Sequence, residues 1–144
     1  MKTTPDCLFC NIIAGTIACQ KIYEDDRVLA FLDIKPISQG HTLIVPKRHS
    51  DSFLTLHEDD LRYCMLAVKK IAPHIAHTVH ADGFNLGINT GSAAGQVIMH
   101  THLHIIPRFA KDGLKSWPNK TTTSEELEQV KRAILDEFKE KKGL

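Results

Sequence analysis

The residues best suited to chemistry are three histidines in the run His100-Thr101-His102-Leu103-His104-Ile105-Ile106. A β-strand turns successive side chains to opposite faces, so on a strand His100, His102 and His104 share one face, about 6.5–7 Å apart. Met99, Thr101, Leu103 and Ile105 then take the opposite face, where the apolar ones can enter a core. Two chemistries suit such a row. Neutral imidazoles bind metal ions. A neutral imidazole can also attack phosphorus and form a covalent phosphoramidate, while its neighbours orient it and move the proton. With an ordinary pKa near about 6.5, histidine is largely neutral and still basic at physiological pH. The upstream run from Asn89 through Gly91 and Gly95 to Gln96 offers glycine backbone and amide donors, which suit an anion. Its place directly before the row favours phosphate chemistry over a tri-histidine metal site.

Cysteine adds a second group. Cys7 and Cys10 form a Cys-Leu-Phe-Cys pair, which is a metal half-site or a redox pair; spacing alone does not decide. No thioredoxin-like βαβ pattern surrounds it, which disfavours thiol–disulfide exchange. Cys19 and Cys64 have no partner in sequence and read as small packing residues. His74, His77 and His80 recur at three-residue spacing and read as a solvated helix stripe.

These groups need a scaffold, and the chain has one. Its 144 residues suit one domain, with 42% hydrophobic and 24% charged residues, far from the disordered regime. A net charge of +1 argues against binding nucleic acid or a membrane surface through bulk charge. No run approaches the ~18 apolar residues of a membrane span, and the N-terminus resembles no signal peptide, so a cytoplasmic protein with reduced thiols is expected.

Leu8 to Ala14 reads as a short helix closed by Gly15. Strands are expected over Ile22–Glu24, Val28–Asp33, His41–Val45, Phe84–Asn89 and Val97–Pro107. Glu58 to His80 carries a helical apolar stripe that Pro73 should kink or split. A last helix runs from Ser124 to about Lys141, with Leu127, Val130, Ile134, Leu135 and Phe138 on its apolar side. Strands in adjacent runs, interrupted only twice by helices, predict an antiparallel α+β fold. On the strand ending at Asp33, Leu29, Phe31 and Asp33 share a face, setting an aromatic beside a carboxylate as a nucleoside would require.

The run from His100 to Ile106 resembles the signature of the histidine triad (HIT) family, His-x-His-x-His followed by apolar residues. The likeness extends through Asp6-Cys7-Leu8-Phe9-Cys10, Ala30-Phe31-Leu32-Asp33-Ile34, Gly40-His41-Thr42-Leu43-Ile44-Val45-Pro46 and His49 to Pro107-Arg108. The resemblance implies a HIT-like antiparallel β-sheet with flanking helices over one domain, residues 1–144, with a core of about 6–110 and a C-terminal loop and helix over 111–144. It implies a homodimeric nucleotidyl hydrolase or transferase acting on nucleoside phosphoramidates or dinucleoside polyphosphates, adenosine-bearing substrates foremost. In that likeness His102 is the nucleophile that captures the α-phosphorus, and His104 and His41 hold phosphate oxygens. Asp33 holds the ribose hydroxyls. Leu8, Phe9, Ile12, Phe31, Ile34 and Leu43 line the base pocket, and Asn89 and Gln96 serve the phosphate side. Bacterial-type members with this cysteine pair hold a structural zinc through the positions of Cys7, Cys10, His49 and His100. Some members bring a Trp-Pro like Trp117-Pro118 to the partner's site.

Two positions depart from the family pattern. Val97 stands where a Ser or Thr usually follows Gly-Gln, so one hydroxyl is missing. A hydrogen bond to a charged group is worth roughly 1.5–3 kcal/mol, and its loss from the transition state slows turnover about ten- to a hundredfold. Thr101 is more polar than the usual residue between the first two histidines. The competing class is a nucleotide-binding regulatory protein with little turnover.

Overall fold

Two neighbouring, almost wholly apolar strands set the architecture. β2 (Val28–Leu32) and β3 (Thr42–Pro46) are apolar at almost every position, as strands covered on both faces must be. In the computed structural model, which describes residues 4–141, they are joined by β1 (Lys21–Glu24), β4 (Gly83–Ile88) and β5 (Leu103–Arg108). The five strands form one sheet in the order β1-β2-β3-β5-β4, every pairing antiparallel. α1 (Leu8–Ile13) precedes the sheet, and α2 (Glu58–Thr78) lies between β3 and β4 in the chain. The expected antiparallel α+β fold is the fold observed.

Val28, Ala30, Ile44, Leu103 and Ile105 face α2 and close a core with its Cys64, Ala67, Val68, Ile71, Ala72 and Ile75. Leu29, Phe31, Leu43 and Val45 face the other way and pack with Phe9 of α1. Full burial of each such large side chain stabilises by roughly 1.5–3 kcal/mol.

Two expectations are corrected. Pro73 does not split α2, which runs as one helix from Glu58 to Thr78. Pro73 and Lys69, whose carbonyl lacks an amide partner in the next turn, are both exposed residues. The last strand begins at Leu103 rather than Val97. Ahead of it the chain is bent, because the Thr101 amide donates to the Ser50 carbonyl at 2.7 Å instead of to a neighbouring strand.

The chain divides into two compact units, one ending at Asp112 and one beginning at Gly113. In the second, α3 (Ser124–Glu140) is opened by a reciprocal cap between Thr123 and Glu126. Its Leu127, Val130, Ile134, Leu135 and Phe138 are exposed.

Candidate active site and metal cluster

Strand register builds the first part of the site. Phe31 of β2 sits opposite Leu43 of β3, and Leu43 opposite His104 of β5. Directly opposed residues project to the same face, so an aromatic, an aliphatic and an imidazole form one row on the face turned away from α2. At the end of β3, the Asp33 amide donates to the His41 carbonyl at 2.9 Å, bringing these two residues together. Phe9 meets Phe31 and His102 edge to face, with ring centroids 5.6 and 5.1 Å apart.

Hydrogen-bond directions decide what each imidazole offers. The Ile37 amide donates to His41 Nδ1 at 3.1 Å. A neutral His41 therefore carries its hydrogen on Nε2 and gives it to His104 Nδ1, 2.9 Å away. The hydrogen of His104 then sits on Nε2, a buried atom with no hydrogen-bond partner among the described residues. His102 donates from Nδ1 to the His100 carbonyl at 2.6 Å, which leaves a lone pair on its Nε2. The His102 and His104 rings lie 5.0 Å apart, so one nucleophilic lone pair stands beside one unused donor. Burial pushes the pKa values of His41 and His102 below the ordinary value and that of His104 down to about 4, which keeps these imidazoles neutral near pH 7.

Asp33, His41 and His104 also bring their donor atoms within 4.8 Å of one another. A cation there needs a lone pair on His41 Nε2, but the Ile37 amide already occupies the one lone pair of that ring. This trio is built to carry a hydrogen, which disfavours a metal ion held by Asp33, His41 and His104. Asp33 Oδ1 accepts from the Lys35 amide at 2.8 Å, and its Oδ2 lies 3.8 Å from His41 Nε2.

The second cluster has the opposite polarity. His49 Nε2 lies 2.8 Å from Asp51 Oδ1, and His100 Nε2 lies 2.8 Å from the Pro46 carbonyl. Both acceptors demand N–H, so both rings turn a bare Nδ1 inward, and these two lone pairs face each other at 3.2 Å. Cys10 Sγ lies 3.3 Å from His49 Nδ1, and Cys7 Sγ lies 3.4 Å from His100 Nδ1. All four donor atoms fall within 4.8 Å of one another. Ligands of a tetrahedral zinc with ordinary bond lengths stand about 3.3–3.8 Å apart, so the residues fit that ion. Burial holds the His100 pKa down to about 4, the neutral form a metal ligand requires. α1 supplies both thiols from one turn, with Cys7 at its N-cap accepting from the Cys10 amide at 3.4 Å.

The expected single histidine face therefore divides. His100 turns to the cysteines, while His102 and His104 face Phe9 and His41. Of the residues expected around a base, Phe9, Phe31 and Leu43 are buried together, Ile12 packs against them, Leu8 is at the surface, and Ile34 is 89% exposed. Asn89 donates weakly to the Gly95 carbonyl at 3.5 Å, and Gln96 is buried. Val97 is 82% exposed and Trp117 92%. Thr101 is buried, and its hydroxyl lies 3.2 Å from the Ser50 carbonyl and 3.1 Å from the Ser50 hydroxyl, which accounts for its polarity. His74, His77 and His80 are exposed and join no metal-capable group among the described residues. Sequence reasoning missed the Ile37 amide, the Pro46 carbonyl and Asp51, the groups that set the tautomers. Only Asp51, two residues after His49, left any signal in the sequence. No described helix is long and apolar enough to cross a membrane.

Comparison with known proteins bears on the same residues. An Arabidopsis thaliana protein named adenylylsulfatase HINT3 is 42% identical over 128 residues, covering 89% of this chain and 64% of that protein. A Streptococcus mutans crystal structure superposes with a TM-score of 0.89 at 37% identity, covering 94% of this chain and 87% of that one. A zinc-bound histidine triad family protein from Mycobacterium smegmatis superposes with a TM-score of 0.73 at 34% identity, covering 95% and 98% of the two chains. The HIT domain profile matches residues 14–111, a span that holds His41, His49 and all three histidines of the row, and by that match and these relatives the chain belongs to the HIT family of nucleotide hydrolases and transferases.

Proposed function

We propose that this protein is a nucleotidyl hydrolase or transferase that cleaves at the α-phosphorus of nucleoside phosphoramidates or dinucleoside polyphosphates. The observation that carries the reading is the pairing of the His102 Nε2 lone pair with the unpartnered His104 Nε2–H. His102 Nε2 bonds to phosphorus as the bond to the leaving group breaks. That group departs with the bonding electrons and takes its proton from water where it needs one. The imidazole becomes a cationic nucleotidyl-histidine, whose Nδ1–H stays on the His100 carbonyl. His104 Nε2–H donates to a phosphoryl oxygen, and His41 holds it in that tautomer. Water then attacks phosphorus and releases a proton to solvent, the P–N bond breaks with its electron pair returning to Nε2, and neutral His102 is restored.

Asp33 binds the ribose hydroxyls, and Phe9, Phe31, Leu43, Ile12, Leu8 and Ile34 form the base side. Asn89 serves the phosphate. An adenylylsulfatase among the relatives supports an adenylyl-bearing substrate. Cys7, Cys10, His49 and His100 would hold a structural zinc, which fixes four side chains and takes no part in bond breaking. Its thiolates require a reducing, cytoplasmic compartment. The chain acts as one HIT domain over residues 1–144, with a core of about 6–110 followed by a C-terminal loop and helix over 111–144. It works as a homodimer, which sedimentation velocity would detect.

The deciding experiment incubates the protein with a nucleotide substrate labelled at the α-phosphorus, quenches in the steady state and maps the label. Label on His102 is expected. Turnover without it, retained in His102→Ala, would overturn the mechanism. The missing hydroxyl at Val97 favours a second reading, a nucleotide-binding regulator, which the same assay separates by binding without turnover.

A further inference from the structure

Gln96 is 3% exposed, and its whole amide is engaged with the protein. Its Oε1 accepts from the Gly91 amide at 2.9 Å, and its Nε2 donates to the Asp51 carbonyl at 2.6 Å and the Ile98 carbonyl at 3.1 Å. A glutamine amide has two N–H donors, and both are spent on those carbonyls, so none is left for a ligand. The Gln96 backbone amide also donates to the Gly91 carbonyl at 3.1 Å, so the two residues close the loop between them from both sides. Gly91 and Gly95 bound that loop with φ of 84° and 90°, a conformation side chains rarely adopt. The loop is therefore a shaped element clamped by one side chain.

The other end of the clamp is equally committed. The Asp51 carboxylate holds His49 Nε2 at 2.8 Å. The Ser50 carbonyl takes the amide of Thr101, which stands between His100 and His102. Three consecutive residues thus reach three parts of the site: His49 the cysteine cluster, Ser50 the histidine run, Asp51 the glycine loop.

We propose that Gln96 is a positioning residue that locks the Gly91–Gly95 loop to the Asp51 peptide, in register with the histidine run, and does not itself touch the nucleotide. This rests on the nucleotide reading above and gives Gln96 a role different from the phosphate ligand the family resemblance implies. An unclamped loop must be ordered by the ligand, so removing the clamp weakens binding of a ligand with a phosphate and spares one without.

The test compares wild type with Gln96→Met, of similar length but unable to make these bonds, and Gln96→Glu, which keeps an acceptor for Gly91 and loses both donors. Amide exchange at Gly91 is followed by NMR without nucleotide, and AMP and adenosine affinities by calorimetry. In Gln96→Met, Gly91 exchange is expected to accelerate and AMP affinity to fall about tenfold, with adenosine within about twofold. Gln96→Glu should lose AMP affinity while exchange at Gly91 stays slower than in Gln96→Met, and it carries the test if the methionine variant does not fold. AMP affinity lost with Gly91 exchange unchanged in Gln96→Met would mean direct contact with phosphate and would overturn the proposal. AMP affinity equal to wild type in both variants would overturn it alone, whereas a wild type that binds no AMP would sink the nucleotide reading as well.

Discussion

Phe9 meets His102 edge to face, with ring centroids 5.1 Å apart and planes at 84°. Phe9 stands between Cys7 and Cys10 on α1, so the turn that presents both thiols also supplies a wall against the nucleophile's ring. The same Phe9 lies 5.9 Å from the His100 ring and 5.6 Å from Phe31. The metal cluster and the proposed reacting imidazole therefore share one supporting side chain, and what loosens α1 loosens both.

Protein purified without chelators is expected to hold one zinc per chain. Cys10→Ser should lose it and lower Tm by about 10 °C, since a structural metal contributes directly to folding. Metal analysis and thermal denaturation check this. A metal-free wild type, or an unchanged Tm in Cys10→Ser, would contradict the assignment.

His102→Ala should lower kcat by about a thousandfold or more, because no other lone pair in the described site stands ready to attack. AMP affinity should stay within about threefold, since the variant removes the reacting atom and leaves Asp33, His41 and His104 in place. Single-turnover kinetics and calorimetry on one preparation separate the two quantities.

Stability should fall with acidity in a defined window. Unfolded histidine titrates near about 6.5, whereas burial holds folded His104 neutral until about 4 and lowers His41 as well. Below about pH 6.5 the unfolded chain binds protons that the folded chain refuses, so stability is complete above that value and is lost as pH drops toward 4. Urea midpoints between pH 7.5 and 4.5 should trace this decline, and His104→Asn should make it shallower. An identical slope in that variant would remove His104 from the explanation.

Val97→Ser should raise turnover of a phosphoramidate substrate by about ten- to a hundredfold if its hydroxyl engages the transition state. Val97 is 82% exposed, so the exchange should leave stability within about 0.5 kcal/mol. A faster enzyme of unchanged Tm is the expected result. Unchanged turnover would mean that this position does not limit the rate.

Much of the scaffold could be read directly from residue order. Short continuous apolar runs in Val28–Leu32 and Thr42–Pro46, bounded by turn residues, mark strands, and the three-to-four spacing of Val68, Ala72, Ile75 and Val79 marks a helix face, because these patterns follow from the local backbone. The histidine run and the cysteine pair were visible for the same reason. The start of β5 was not, because the Thr101 amide is taken by Ser50, fifty-one residues away in sequence. Nor was the division of labour among the histidines. Whether an imidazole offers a lone pair or a hydrogen depends on what its other nitrogen meets. The Ile37 amide, the Pro46 carbonyl, the Asp51 carboxylate and the His100 carbonyl decide that question, and folding alone brings those groups to their rings.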